Sequence, residues 1–119
     1  MIKFIHKGNY FLVELSGKYR LNFFIESIHK VIDYSKKQKL TTALVDVRSV
    51  NGDPSIIDRY HIGLEISKCW AKDIQVAAVV REAIFSEITE NVAVNRGANF
   101  SVFTKLESAM AWLGITNNE

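Results

Sequence analysis

Three short and almost wholly apolar runs constrain this chain more than any other feature: ALVDV at 43–47, IQVAAVV at 74–80 and FSVF at 100–103. None shows the polar/apolar alternation of a strand with one wet face. Each reads as a strand covered on both sides, the environment of a parallel sheet. Helical patterns lie between them, at roughly 54–71 and 82–96, and a last one covers 105–113. Strand and helix in alternation imply a mainly parallel sheet joined by right-handed crossovers, with helices packed on it.

Ahead of these units, IKFIH (2–6) and YFLVELS (10–16) flank Lys7-Gly8-Asn9 and read as a β-hairpin, with Ser16-Gly17-Lys18 breaking the second strand. Between 21 and 38, Leu21, Phe24, Ile25, Ile28, Val31, Ile32 and Ser35 recur at the spacing of an amphipathic helix. The expected fold class is α/β, in the order β-β-α-β-α-β-α-β-α. That gives about five strands and four helices, with the hairpin as an antiparallel edge and one domain over 1–119.

Local signals place several boundaries. Thr104-Lys105-Leu106-Glu107 has the form of a capping box for the final helix. Gly97 stands where the preceding helix should stop in a left-handed residue. In NGDPSIIDRYHIG (51–63) two helix starts compete. Asp53 can cap with Pro54 first in the helix, or Ser55 can cap with Asp58 three positions on.

A chain of 119 residues with a formal charge of +2 gives little electrostatic reason to bind nucleic acid. Its densest basic cluster, SKKQK at 35–39, ends a helix, where cations suit the dipole. Cys69 has no partner for an internal disulfide, which fits a reducing compartment. The first residues hold no continuous apolar segment of a secretory signal, and no run is long enough to span a bilayer. The chain is therefore expected to be cytoplasmic and complete as given.

The residues that could carry chemistry point to binding rather than catalysis. His6, His29 and His61 lie on three elements, and none has a second histidine or cysteine at a metal-like spacing. No G-x-S-x-G elbow or glycine-rich phosphate cradle occurs. No metal, no cofactor and no enzyme activity are expected. Ligands of open parallel sheets bind outside the carboxyl ends of the strands. There the candidate binding edge comprises Asp46, Arg48, Ser55, Asp58 and Arg81. Arg48 and Arg81 offer charge-assisted bonds to an anion, while Asp46, Asp53 and Glu82 compete for them.

The helix at 54–71 has two apolar arcs. Ile56, Ile57, Tyr60, Gly63, Leu64 and Ser67 share one face, expected to lie on the sheet, with Gly63 allowing close approach to a strand. Ile62, Ile66, Cys69 and Trp70 fall on an adjoining arc beside Arg59. That arc makes Arg59, Ile62, Ile66 and Trp70 a candidate subunit interface or partner surface, unless the first helix packs alongside and covers it.

Three segments, GDPSIIDRYHIG (52–63), VAAVVRE (76–82) and NVAVNRGANFSVFTKLESAMAWL (91–113), together resemble the small bacterial SpoIIAA-like proteins of the STAS/CRAL-TRIO-type fold. The resemblance runs from about residue 41 to the end and rests most on DRY-x-x-G and N-R-G-A-N-x-x-V-F-T. It implies a β-α fold used for protein–protein regulation and, in a lipid-carrier branch, for holding apolar ligands. Anti-sigma-factor antagonists of that fold carry Asp-Ser-Ser-Gly at the strand-to-helix junction. Here the junction reads Arg48-Ser49-Val50-Asn51-Gly52-Asp53-Pro54-Ser55, so Ser49 and Ser55 are candidate phosphorylation sites without the motif. The leading expectation is a non-enzymatic regulatory or protein-interaction module, self-associating as a homodimer. The alternative is a carrier of a small apolar or lipid ligand. A carrier requires an apolar cavity, whereas an interaction module requires an exposed patch.

Overall fold

The computed structural model describes residues 1–115; positions 116–119 of the expected unit lie outside the described residues. Strands β1 (Ile2–His6) and β2 (Phe11–Lys18) pair antiparallel, with Ile2 opposite Leu15. Helix α1 (Leu21–Gln38) leads to β3 (Thr42–Asn51), α2 (Ile56–Cys69) to β4 (Gln75–Val79), and α3 (Ile88–Asn95) to β5 (Asn99–Phe103). Helix α4 (Leu106–Leu113) follows. Strands β2 to β5 are parallel, and the order across the sheet is the order along the chain.

That order fixes the layers. Each crossover steps the same way across the sheet, so right-handedness puts α1, α2 and α3 on one face. Strand residues Phe11, Val13, Val45, Val76 and Ala78 point to that face, against Ile28 and Val31 of α1 and Ile62 and Ile66 of α2. Helix α4 comes after the last strand and turns to the opposite face. It buries Ala109, Met110 and Leu113 on Leu44, Ala77 and Val79. The alternating directions of β3 and β4 thus supply both cores, which is why their sequences are apolar throughout.

Three boundaries differ from those expected. Ser16-Gly17-Lys18 does not break β2; the strand continues through an irregularity. Glu14 pairs with Asp46 but Ser16 with Ser49, so β3 carries an extra residue, and Val47 and Val50 both reach the same core. The Asp46 carboxylate accepts the Arg48 backbone N–H at 3.0 Å within this bulge. The helical pattern at 82–96 is split into a 3-10 turn at Glu82–Ile84 and α3, while Gly97 follows α3 with φ +99° as anticipated. The capping box at Thr104 does not form. Helix α4 is capped by Lys105 without a side-chain bond, one position later than the box requires.

The two arcs of α2 are exchanged relative to the expectation. Ile62, Ile66 and Trp70 are buried against the sheet and α1, Trp70 at 4% exposure. The Trp70 Nε1–H donates to Ile28 O at 2.9 Å and its ring meets Phe100. Ile56, Ile57 and Tyr60, expected on the sheet, face outward instead. Gly63 gives close approach to α3 rather than to a strand: a methyl there would lie 2.8 Å from Thr89 O. The cause is the position of α2 between α1 and α3. It needs apolar or small residues on three sides, so its pattern does not single out one face. Among the described residues no helix is long and apolar enough to cross a membrane.

Candidate functional site

At the carboxyl end of the sheet the core is incompletely filled. An apolar cavity of about 110 Å³ lies between the strands and α1, α2 and the 84–89 segment, with Leu15, Val47, Ile62, Trp70 and Val102 among its walls. It reaches the sheet edge between Gly52, Pro54, Ile84 and Ser86. The few polar groups in its wall are largely engaged within the chain. Ser27 Oγ donates to Phe23 O at 2.7 Å, Thr89 Oγ1 to Arg59 O at 3.0 Å, and Arg59 Nε to Pro54 O at 3.1 Å.

Just outside this edge stands the start of α2. Ser55 is the N-cap, and its exposed hydroxyl accepts the Asp58 N–H at 3.1 Å. Ser55 rather than Asp53 therefore starts the helix. Asp58 also accepts the Tyr19 hydroxyl at 2.9 Å, tying the end of β2 to α2. Burial, then this hydrogen bond and the Asp58 charge, push the Tyr19 phenol above its ordinary value. Beyond Ser55 the first turn presents Ile56 at 71% and Ile57 at 69% exposure, with Tyr60 one turn on. Phe85, next to the cavity-lining Ile84, is also exposed.

The candidate binding-edge residues do not form one site. Ser55 and Asp58 sit together at the α2 start. Asp46 and Arg48 pair with each other on the bulge, through Nε at 3.0 Å and Nη2 at 2.8 Å. Burial of Asp46 opposes its ionisation, but the hydrogen bonds and charge of Arg48 together hold its carboxyl below the usual range. Arg81 spends Nη2 on Val50 O and Gly52 O, strapping β4 to the end of β3. Its buried Nε has no partner among the described residues. Ser49 is exposed and lines a surface hollow with Met1, Lys3, Glu14 and Asp46. As for the candidate interface, burial removes Ile62, Ile66 and Trp70 from any surface role, and half-buried Arg59 is held by Pro54 O with Asp53 3.8 Å away.

No protein-family model matches the chain, and no curated protein matches it in sequence. Solved structures do match. An anti-sigma factor antagonist from Mycobacterium paratuberculosis superposes with a TM-score of 0.66 at 14% identity, over 96% of this chain and 93% of that one. A variant of RsbS from Moorella thermoacetica gives 0.59 at 11% identity, over 95% and 94%. An uncharacterised DUF3478-family protein with a SpoIIAA-like fold, from Shewanella loihica PV-4, gives 0.54 at 18% identity, over 95% and 92%. The fold is SpoIIAA-like. Its hairpin, five-stranded sheet and four helices are the arrangement that the apolar runs and helical spacing implied, and the SpoIIAA-like fold is the one that the motifs at 52–63 and 91–113 suggested. The exposed pair Ile56–Ile57 and the cavity were not singled out from sequence. The signal for the first was present: two consecutive isoleucines directly after a cap, where a helix projects past the sheet edge.

Proposed function

We propose that this chain is a non-enzymatic regulatory module of STAS-like type that binds a protein partner through the first turn of α2. The observation that carries the reading is the exposure of Ile56 and Ile57, at 71% and 69%, beside Tyr60. Adjacent large aliphatic side chains left in water at a helix start are the kind of anchor that a partner's pocket covers. The neighbours named as an anti-sigma factor antagonist and RsbS support a regulatory role for the fold. In this reading the module works in the cytoplasm, and Ser55, exposed within the partner surface, is its phosphorylation site. A phosphate there meets the amides of the first turn. Ser49, exposed in a hollow that holds both Lys3 and the Glu14 and Asp46 carboxylates, is the second candidate.

The cavity favours the carrier reading in kind but not in size. Pockets for drug-sized ligands run to roughly 300–1,000 Å³, and a dry cavity of about 150 Å³ holds benzene. A volume of about 110 Å³ is smaller than either. The test is affinity capture with cross-linking from the cells that make the protein, using wild type and an Ile56→Asp/Ile57→Asp variant. The proposal expects a protein cross-linked near the α2 start and lost with the variant. A second copy as that protein would make the module a homodimer through this surface. Identical captured sets would sink the reading. A small apolar molecule released on denaturation in mass spectrometry would restore the carrier.

A further inference from the structure

Helices α1 and α2 bring together three side chains that the sequence keeps far apart. His29 projects from α1, and Glu65 and Cys69, one turn apart, project from α2. His29 Nε2 lies 2.6 Å from Glu65 Oε2, Cys69 Sγ lies 3.4 Å from the same oxygen, and Sγ is 3.6 Å from His29 Nε2. One nitrogen, one sulfur and one carboxylate oxygen thus stand within 4.8 Å of one another. We propose that His29, Glu65 and Cys69 form a three-ligand site for a borderline-soft divalent cation of the Zn²⁺ class, with a fourth position open to solvent.

The spacing supports this. With Zn–S near 2.3 Å and Zn–N and Zn–O near 2.0 Å, tetrahedral geometry sets ligand atoms about 3.3–3.6 Å apart. Both sulfur distances already fall in or near that interval. Only the nitrogen–oxygen edge has to open, by about 0.7 Å, as the cation displaces the His29–Glu65 hydrogen bond and the Cys69 thiol releases its proton to solvent. Sγ stands almost equally far from both ring nitrogens, at 3.6 and 3.7 Å, so the imidazole also turns to aim Nε2. Its 53% side-chain exposure leaves it free to do so.

The backbone under the site is fixed. Residues next to two of the ligands, Trp70 and Ile28, share the buried Nε1–H···O bond that clamps α2 to α1. A site on clamped helices loses little entropy on binding. Burial, then the Glu65 hydrogen bond and charge, push the Cys69 thiol up to about 11, with Lys68 opposing and Asp33 adding to the shift, so the cation has to displace that proton. A cation bound here would fasten α1 to α2.

Titration of the full chain with Co²⁺, with Zn²⁺ as competitor, tests the site. The expected result is a thiolate-to-cobalt charge-transfer band with a one-to-one endpoint, bleached by Zn²⁺. Zn²⁺ should also protect Cys69 from alkylation and raise the melting temperature. Cys69→Ser and His29→Ala should each weaken binding by at least about tenfold, since even outer-shell partners of metal ligands commonly matter that much. Glu65→Gln should weaken it as well, and His6→Ala should not. Absence of the charge-transfer band, or Co²⁺ binding that survives Cys69→Ser, would overturn the proposal. If Cys69→Ser does not fold, alkylation of the wild type decides: a rate unaffected by excess Zn²⁺ also overturns it.

Discussion

Replacing Gly63 by alanine sets two effects of known sign against each other. Alanine is favoured over glycine inside a helix by about 1 kcal/mol. The added methyl, however, would meet Thr89 O at 2.8 Å and Val92 Cβ at 2.8 Å, where carbon atoms prefer separations of roughly 3.5–4.0 Å. Only Val92 Cγ1, 3.0 Å away, can rotate aside; Val92 Cβ and the Thr89 carbonyl cannot move without α3. The start of α3 is pinned to α2, because Thr89 Oγ1 donates to Arg59 O at 3.0 Å. Overpacking of this kind costs about 1–3 kcal/mol, and the pinned backbone puts Gly63 near the top of that range. The net loss is therefore about 2 kcal/mol, or roughly 8 °C in melting temperature for a chain of this size.

Urea unfolding followed by tryptophan fluorescence measures this directly, since Trp70 is buried in the same core. The midpoint should fall with the slope unchanged. A Gly63→Ala/Val92→Ala double variant should recover only part of the loss, because alanine keeps the Cβ at position 92 and the Thr89 carbonyl stays in place. A midpoint at or above wild type would refute the close-packing argument. Full recovery in the double variant would shift the obstacle from the backbone to the γ-methyls of Val92.

Ser55→Ala removes the acceptor for the Asp58 N–H and should cost about 1 kcal/mol in the same assay; an unchanged midpoint would mean that water caps the helix equally well. Tyr19 is held protonated in the folded chain, so its contribution is complete below the ordinary value of 10.0 and is lost as pH rises through the higher folded value. Stability of wild type should therefore fall above about pH 10, and Tyr19→Phe should flatten part of that fall. In ultraviolet titration a tyrosine that ionises late in wild type should be missing in the variant; loss of an early-ionising tyrosine instead would contradict the Tyr19–Asp58 bond.

The elements were legible where one segment's pattern suffices. Helix α1 runs over Leu21–Gln38 as its periodicity implies, and three apolar runs became β3, β4 and β5. The faces of α2 were not, because three neighbours demand packing from it and a wheel drawn for one helix contains none of them. The end of β2 was misread because Ser16-Gly17-Lys18 looks like a turn, whereas an extra residue on β3 absorbs the irregularity. Arg81 looked like a ligand for anions, but its guanidinium serves the carbonyls of Val50 and Gly52, an arrangement set by the meeting of two strand ends. The His29–Glu65–Cys69 cluster left half a trace in sequence: the one-turn spacing of Glu65 and Cys69 is visible, but the third member comes from another helix.

Strand order equal to chain order also bears on how the protein is made. Each parallel strand pairs with the one before it, so a chain emerging from its amino end can add β3, β4 and β5 in turn without waiting for a later segment to be inserted. The helical layer grows with the sheet. The opposite face does not: Leu44, Ala77 and Val79 stay uncovered until Ala109, Met110 and Leu113 arrive with α4. A nascent chain stalled after β5 would display a complete sheet with one oily side, and it is at that stage that a chaperone would find most to hold.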